Sequence, residues 1–369
     1  MRNSIIVIKV KEVCLTVIKE TTMKNILLFI SITFAVNTFS QTTLIPDPNF
    51  EQELISLGYD SGSPDGSVPT ANISSVNSLN VNMMNITSLT GIQDFTALTT
   101  LWCGGNQLTS LDVTQNTALS ELNCGGNQLT SLDVSQNSAL INLSCTNNQL
   151  TSLDVSQNTA LTILHCIYNQ LTSLDVSQNS ALITLWCDYN QLTSLDVSQN
   201  TALSELNCSN NQLTSLDVSG AVSLTHLQCQ YNQLTSLDLS QNTALTILYC
   251  NNNQLVCLNV KNGNNLNFVP PSYGPYFCAG FNPNLWCIEV DDVAWSNLWW
   301  WSIDPQTSFS TNCGNACSTV LGINELNTNT TKTLSKIIDL TGREIQYKKN
   351  TLMIYIYEDG TSERVIEFE

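Results

Sequence analysis

Positive charge is what this sequence has least of. Its 369 residues hold 12 Lys and Arg against 30 Asp and Glu, and between residues 41 and 318 Lys261 is the single basic residue among twenty acidic ones. Such a surface repels phosphate backbones and anionic lipid, so nucleic acid and membrane surfaces are excluded as partners. Histidine is scarce as well. His165 and His226 are the only two, and no HExxH, GxSxG, phosphate-loop or dinucleotide motif accompanies them. His165 adjoins Cys166, but neighbours on an extended segment point to opposite faces, so the two do not meet as base and nucleophile. The expectation is a protein without catalytic residues, not an enzyme. An apolar run long enough to cross a bilayer is also lacking: the apolar-rich stretch 26–36 has eleven residues. Disorder is not implied, because 42% of the chain is apolar.

What is present begins with an address. Met23-Lys24, the stretch 26–36 and then Asn37-Thr38-Phe39-Ser40 follow the order of an export signal, with cleavage expected after Ser40. Residues 1–22 then precede the natural start at Met23. The alternative is a buried helix or strand. Export carries the chain to an oxidising compartment, which makes its fourteen cysteines important.

Eight of them, Cys103, Cys124, Cys145, Cys166, Cys187, Cys208, Cys229 and Cys250, recur every 21 residues, and the surrounding sequence recurs with them. A fixed period of this length is the mark of a solenoid. One unit, residues 119–139, reads LSELNCGGNQLTSLDVSQNSA and contains two near copies, LxxLxCxxNQ and LxxLDVSQN. Each coil therefore carries two extended segments. Residues two apart share a face, so Leu122 and Cys124 point inward while Glu121, Asn123 and Gly125 point outward. Asn127 and its equivalents Asn106, Asn148, Asn169, Asn190, Asn211, Asn232 and Asn253 fall where the chain turns, and a column of amides can satisfy the backbone there. Stacked at strand spacing, the eight regular units extend about 40 Å.

This pattern, over about residues 76–266, resembles the leucine-rich-repeat family, in particular its bacterial 21-residue subclass with internalin-like surface proteins that carry a cysteine ladder. Two places depart from it. Residues 76–97 lack the cysteine and look like a 22-residue internalin unit, and Gly220-Ala221 replaces the usual Gln-Asn. The resemblance implies a leucine-rich-repeat solenoid of mainly β coils with a short helical N-terminal cap (41–75), an irregular C-terminal cap (267–318) and a signal peptide at 23–40. Residues 50–57 suit the first cap, with Phe50, Leu54 and Leu57 at helical spacing. Residues 285–290 suit a closing strand, followed by Trp295, Trp299, Trp300 and Trp301.

From residue 319 the composition shifts to a Thr- and Asn-rich linker and then alternating apolar segments around Thr341-Gly342 and Asp359-Gly360, as in a small β-sandwich. Asp339-Leu340-Thr341-Gly342-Arg343-Glu344, Ile354-Tyr355-Ile356-Tyr357 and Asp359-Gly360 resemble the C-terminal sorting domain of type IX secretion substrates in Bacteroidetes-like bacteria. That resemblance implies contact with the secretion machinery, passage across the outer membrane, and release or attachment at the cell surface. An ordinary terminal hairpin domain is the plainer reading.

The ladder cysteines have three possible roles. Vertical neighbours about 4.8 Å apart with parallel Cβ bonds are too distant for a disulfide, and a single row cannot surround zinc. Free thiols packed as small hydrophobes remain. Cys257, Cys278, Cys287, Cys313 and Cys317 lie in or near the irregular cap, and Cys287 with Cys313 is the expected disulfide. Asp112, Asp133, Asp154, Asp175, Asp196, Asp217 and Asp238 occupy one position in successive coils. They are either solvated and bonded to Ser and Thr hydroxyls, or weak ligands for calcium; no other cofactor is expected.

Little changes in LTSLDVSQN from coil to coil, whereas the outward residues beside LxC do change. Trp102, His165, Trp186 and Tyr249 form one column, Tyr168, Tyr189 and Tyr231 a second, and His226 stands in a third. The resemblance makes this the ligand-gripping concave face, and aromatics are favoured anchors. Drift after duplication also produces variation. The functional expectation is a secreted or surface protein that binds another protein or a cell surface; glycan capture is the alternative, and a structural part of the surface layer a remote third.

Overall fold

The computed structural model describes residues 41–265, 268, 276–300 and 302–314, and in the tail 334–338, 343, 344, 346, 353–357 and 362–365. The expected signal peptide lies outside the described residues. Two units are distinguished, Met1–Cys317 and Ser318–Glu369.

At the start of the first unit, β1 (Thr42–Leu44) pairs antiparallel with β2 (Ser67–Pro69), and helix α1 (Pro48–Ser56) lies between them in sequence. Asp47 begins the helix: one carboxylate oxygen accepts from the N–H groups of Asn49 and Phe50, and Pro48 supplies the fixed φ of the first turn. The other oxygen accepts from Thr87 N and Oγ1 and from Ser88 N, which ties the cap to the first coil. Phe50 and Leu54 are fully buried and close the apolar end of the stack, with Phe50 over Phe95 at 6.3 Å. Leu57 does not join them. The helix stops at Ser56, Leu57 becomes its C-cap, and the side chain is 44% exposed.

After the four-residue helix α2 (Thr70–Ile73), three-residue strands appear once per coil: β3 (Ser78–Asn80), β4 (Thr100–Trp102), β5 (Glu121–Asn123), β6 (Asn142–Ser144), β7 (Ile163–His165), β8 (Thr184–Trp186), β9 (Glu205–Asn207) and β10 (His226–Gln228). The later coils add β11 (Ser236–Asp238), β12 (Ile247–Tyr249), β13 (Cys257–Asn259), β14 (Phe277–Cys278), β15 (Cys287–Glu289) and β16 (Ser308–Ser310). Strands β3 to β10 with β12 and β14 make one ten-stranded sheet in sequence order, parallel at each junction from β3 to β14. Leu101 sits opposite Leu122, a step of 21, while Leu79 sits opposite Leu101, a step of 22, so the longer first unit is absorbed without loss of register. The regular coils repeat one inward set: Leu143, Cys145, Leu150 and Val155 in one coil are fully buried, as are their counterparts Leu164, Cys166, Leu171 and Val176 in the next, while Val81 stands in the cysteine's place in the first coil. Leu153 and Leu174 are 7% exposed.

Two asparagine columns hold the turns. In the first, Asn169 Nδ2 donates to the carbonyls of Cys145 and Cys166, and its Oδ1 accepts from Leu150 N, so both ends of the amide serve backbone groups that no strand would satisfy. In the second, Asn158 Nδ2 donates to the carbonyls of Val134 and Asn137. Ala221 interrupts this second column, and its partner Gly220 is required there because a Cβ would lie 2.4 Å from the Ser198 carbonyl oxygen.

The far end is more elaborate than a single closing strand. Strand β15 falls within residues 285–290, but β16 pairs beyond it, and helix α3 (Val293–Trp299) bridges the two. Trp300 fills the end, stacked on Phe277 at 4.2 Å and edge-on to Phe268 and Phe309. Cys287 and Cys313 form a disulfide, and Cys257 is disulfide-bonded too. Trp299 is exposed, and Trp301 lies outside the described residues. In the second unit, β17 (Leu334–Ile338), β18 (Met353–Tyr357) and β19 (Ser362–Val365) form one antiparallel sheet; among the described residues no second sheet faces it. No helix among the described residues is long and apolar enough to cross a membrane.

Candidate functional site

The outer face of the ten-stranded sheet is built by alternation. Because Leu185 and Cys187 point inward, Thr184, Trp186 and Asp188 point outward, and the next residue, Tyr189, sits where the chain leaves the strand. Four of the expected aromatic residues meet. His165 and Trp186, opposite each other in register, stack at 4.2 Å with planes 13° apart, and Tyr168 and Tyr189 stack at 4.2 Å and 19°. A hydrogen bond between the two phenols raises the pKa of Tyr168, with desolvation and the Asp188 charge adding to it.

The other four stand apart. Trp102 donates its indole N–H to Glu121 Oε1 at 2.9 Å, three coils away from His165. His226 Nδ1 is hydrogen-bonded to Thr225 Oγ1. Tyr231 projects, 53% exposed, between Asn210 and Asn252 in its column, and Tyr249 lies opposite Gln228 and Cys278 near the end of the sheet. The face therefore has one aromatic cluster and several outlying rings.

The tyrosine column has a backbone peculiarity. Its positions all have positive φ, from 52° at Tyr168 to 68° at Gly105, and the regular coils read Gly105, Gly126, Asn147, Tyr168, Tyr189, Asn210, Tyr231, Asn252. Gly and Asn suit left-handed backbone; a tyrosine there costs about 1–2 kcal/mol. The alternation of Gly and Asn with Tyr was the signal in the sequence that these rings occupy strained positions.

Sequence reasoning also passed over Asp188. The residue is only 6% exposed, and burial pushes its carboxyl up to about 6. Among the described residues its Oδ1 has no hydrogen-bond partner, nor have His165 Nε2 and Gln230 Oε1. Desolvation lowers the His165 pKa, partly offset by the Glu205 carboxylate.

The aspartate column is otherwise occupied. Asp112 Oδ1 accepts from Thr114 N and Oγ1, and Asp154 and Asp175 accept from the N–H of Ser156 and Ser177. These bonds hold the three carboxyls below the usual range. Among the described residues no group of three or more His, Cys, Asp or Glu is placed to hold a metal ion. The ladder thiols are free and buried, and desolvation pushes Cys124, Cys166 and Cys208 up to about 12, so they stay protonated.

No family model and no curated protein matches this chain. Among solved structures, the functional domain of InlJ from Listeria monocytogenes, described as including a cysteine ladder, is 36% identical with a TM-score of 0.56, over 69% of this chain and 58% of that one. The chain thus spans less than two thirds of that protein's length. Internalin C2 of the same bacterium is 21% identical (TM-score 0.46; 69% of this chain, all of that one), and YopM of Yersinia pestis is 23% identical (TM-score 0.43; 58% and 56%). Period, inward leucines and thiol row together make the fold of the first unit that of a leucine-rich-repeat solenoid.

Proposed function

We propose that this protein is exported and binds another protein, at a cell surface or in its surroundings, through the outer face of the ten-stranded sheet. The observation that carries this reading is the tyrosine pair. Tyr168 and Tyr189 keep left-handed backbone where Asn and Gly serve neighbouring coils, and their rings are still 51% and 43% exposed. Strain kept at an exposed aromatic supports use of that ring in recognition. The likeness to the InlJ functional domain supports an interaction module in general. The export signal and the sorting-like tail support a secreted or outer-surface location.

Glycan capture is the second reading, and ring geometry weighs against it. Sugar platforms use open ring faces, whereas in both stacked pairs each ring covers one face of the other. Incubating the mature chain on protein and glycan arrays distinguishes the two readings. Protein capture is expected, with Trp186→Ala plus Tyr189→Asn weakening it tenfold or more at unchanged melting temperature. Capture on glycans alone sinks the protein reading, and undiminished affinity of the double variant removes this face from consideration.

A further inference from the structure

Buried polar atoms without partners are concentrated informatively. Outside the second asparagine column and Trp300 Nε1 in the end cap, those found among the described residues are His165 Nε2, Asp188 Oδ1 and Gln230 Oε1, all on the outer sheet face. Asp188 follows inward Cys187, lies between Trp186 and Tyr189 in sequence, and its charge reaches the Tyr168 phenol. An ionised carboxylate this deep needs a counter-charge. Among the described residues no cationic side chain pairs with it. Lys261, the single basic residue between 41 and 318, is spent on Glu289 at 3.9 Å and on the Thr311 carbonyl. The fold does not demand the carboxylate either, since Gly125, Thr146 and Ser209 fill the same position in other coils.

We propose that Asp188 is the floor of a pocket for a cationic side chain, arginine above all, presented by a basic partner protein and framed by the Trp186 and Tyr189 rings. A guanidinium donates N–H groups to Asp188 Oδ1 while its plane lies against the aromatic rings. His165, lowered by burial, is neutral at pH 7 and opposes no incoming cation. Two coils further on, about 10 Å away, Gln230 Oε1 accepts from a second donor. The excess of acid over base along residues 41–318 steers such a partner inward.

The pocket rests on the proposed protein-binding face, and its test is separate from the arrays. Fluorescence anisotropy of a labelled tetra-arginine peptide, with tetra-citrulline as the uncharged control, is measured at low ionic strength on the full chain. Wild type is expected to prefer tetra-arginine, Asp188→Asn to weaken it about tenfold or more, and Glu53→Gln on α1 to leave it unchanged. Equal affinity in wild type and Asp188→Asn, or no tetra-arginine binding at all, overturns the pocket while the array result still decides the face. Should Asp188→Asn not fold, Asp188→Ser, which copies Ser209, replaces it in the same comparison.

Discussion

In every coil the LxxLxC half and the LxxLDV half bury their leucines in one core, yet only the first builds a sheet along the whole stack. Ten strands run through the first half-repeats, while the second half-repeats show only the isolated bridges Asp112 to Asp133 and Asp196 to Asp217 until the last four strands. The second half-repeats share a local bond at aspartate. Asp154 Oδ1 takes the N–H of Ser156 two residues on and turns the chain there, and Asp238 makes the same bond to Ser240 at the end of β11. The turn-forming side is chemically uniform because its side chains are committed to their own backbone. The outward positions of the first half vary from coil to coil, and only some of them, such as Asn123 and Asn207, bond their own backbone.

The sharpest way to break this comparison is through the two asparagine columns. Asn169→Ala orphans the buried Leu150 N–H and withdraws one of two donors from each of the Cys145 and Cys166 carbonyls, for a loss of about 3 kcal/mol, whereas Asn158→Ala forfeits two donated bonds and orphans no N–H, at no more than about half that. Chemical denaturation of both variants tests the order, and equal losses would show that the columns are equivalent. Ala221, already in the second column, supports the milder outcome.

A smaller effect isolates Asp188. Its folded pKa, about 6, lies above the ordinary aspartate value of about 3.8, so the folded chain holds this proton more tightly and loses the associated stability as pH rises from there through 6. Asp188→Asn is therefore expected to be more stable than wild type by about 2 kcal/mol at pH 7.5 and to converge with it below pH 4. The titratable groups that feel its charge, Tyr168 and the buried thiols of Cys166, Cys187 and Cys208, are common to both proteins. Parallel stability curves across that range would refute the burial of a strained carboxylate.

Smallest is the left-handed column. Tyr231→Asn relieves backbone strain without breaking a ring stack and should raise stability by about 1 kcal/mol, whereas Tyr168→Asn gives up the Tyr189 stack and comes out near neutral. Melting temperatures of the pair check the difference.

The period, the inward Leu and Cys rows and the turn asparagines were legible because each rests on local alternation that repetition amplifies. Leu57 misled because spacing says which face a residue would share, not where the helix ends. The burial of Asp188 was hidden for a different reason: its carboxyl lies among groups of three successive coils, Cys166 and Tyr168, Cys187, and Cys208, which no single repeat discloses. The pairing of His165 with Trp186 followed from column membership, but the isolation of Trp102 and His226 came from individual bonds to Glu121 and Thr225.

The row of eight buried thiols gives this molecule an internal gauge of its own breathing. While neighbouring coils stay closed, protonated sulfur is silent to an alkylating reagent; when one coil parts from the next, that coil's cysteine alone becomes reactive. Apart from Cys278, a free thiol already half-buried, the identity of the first ladder cysteine alkylated thus locates the weakest junction in the stack, and the sequence of later ones traces how unfolding spreads along it.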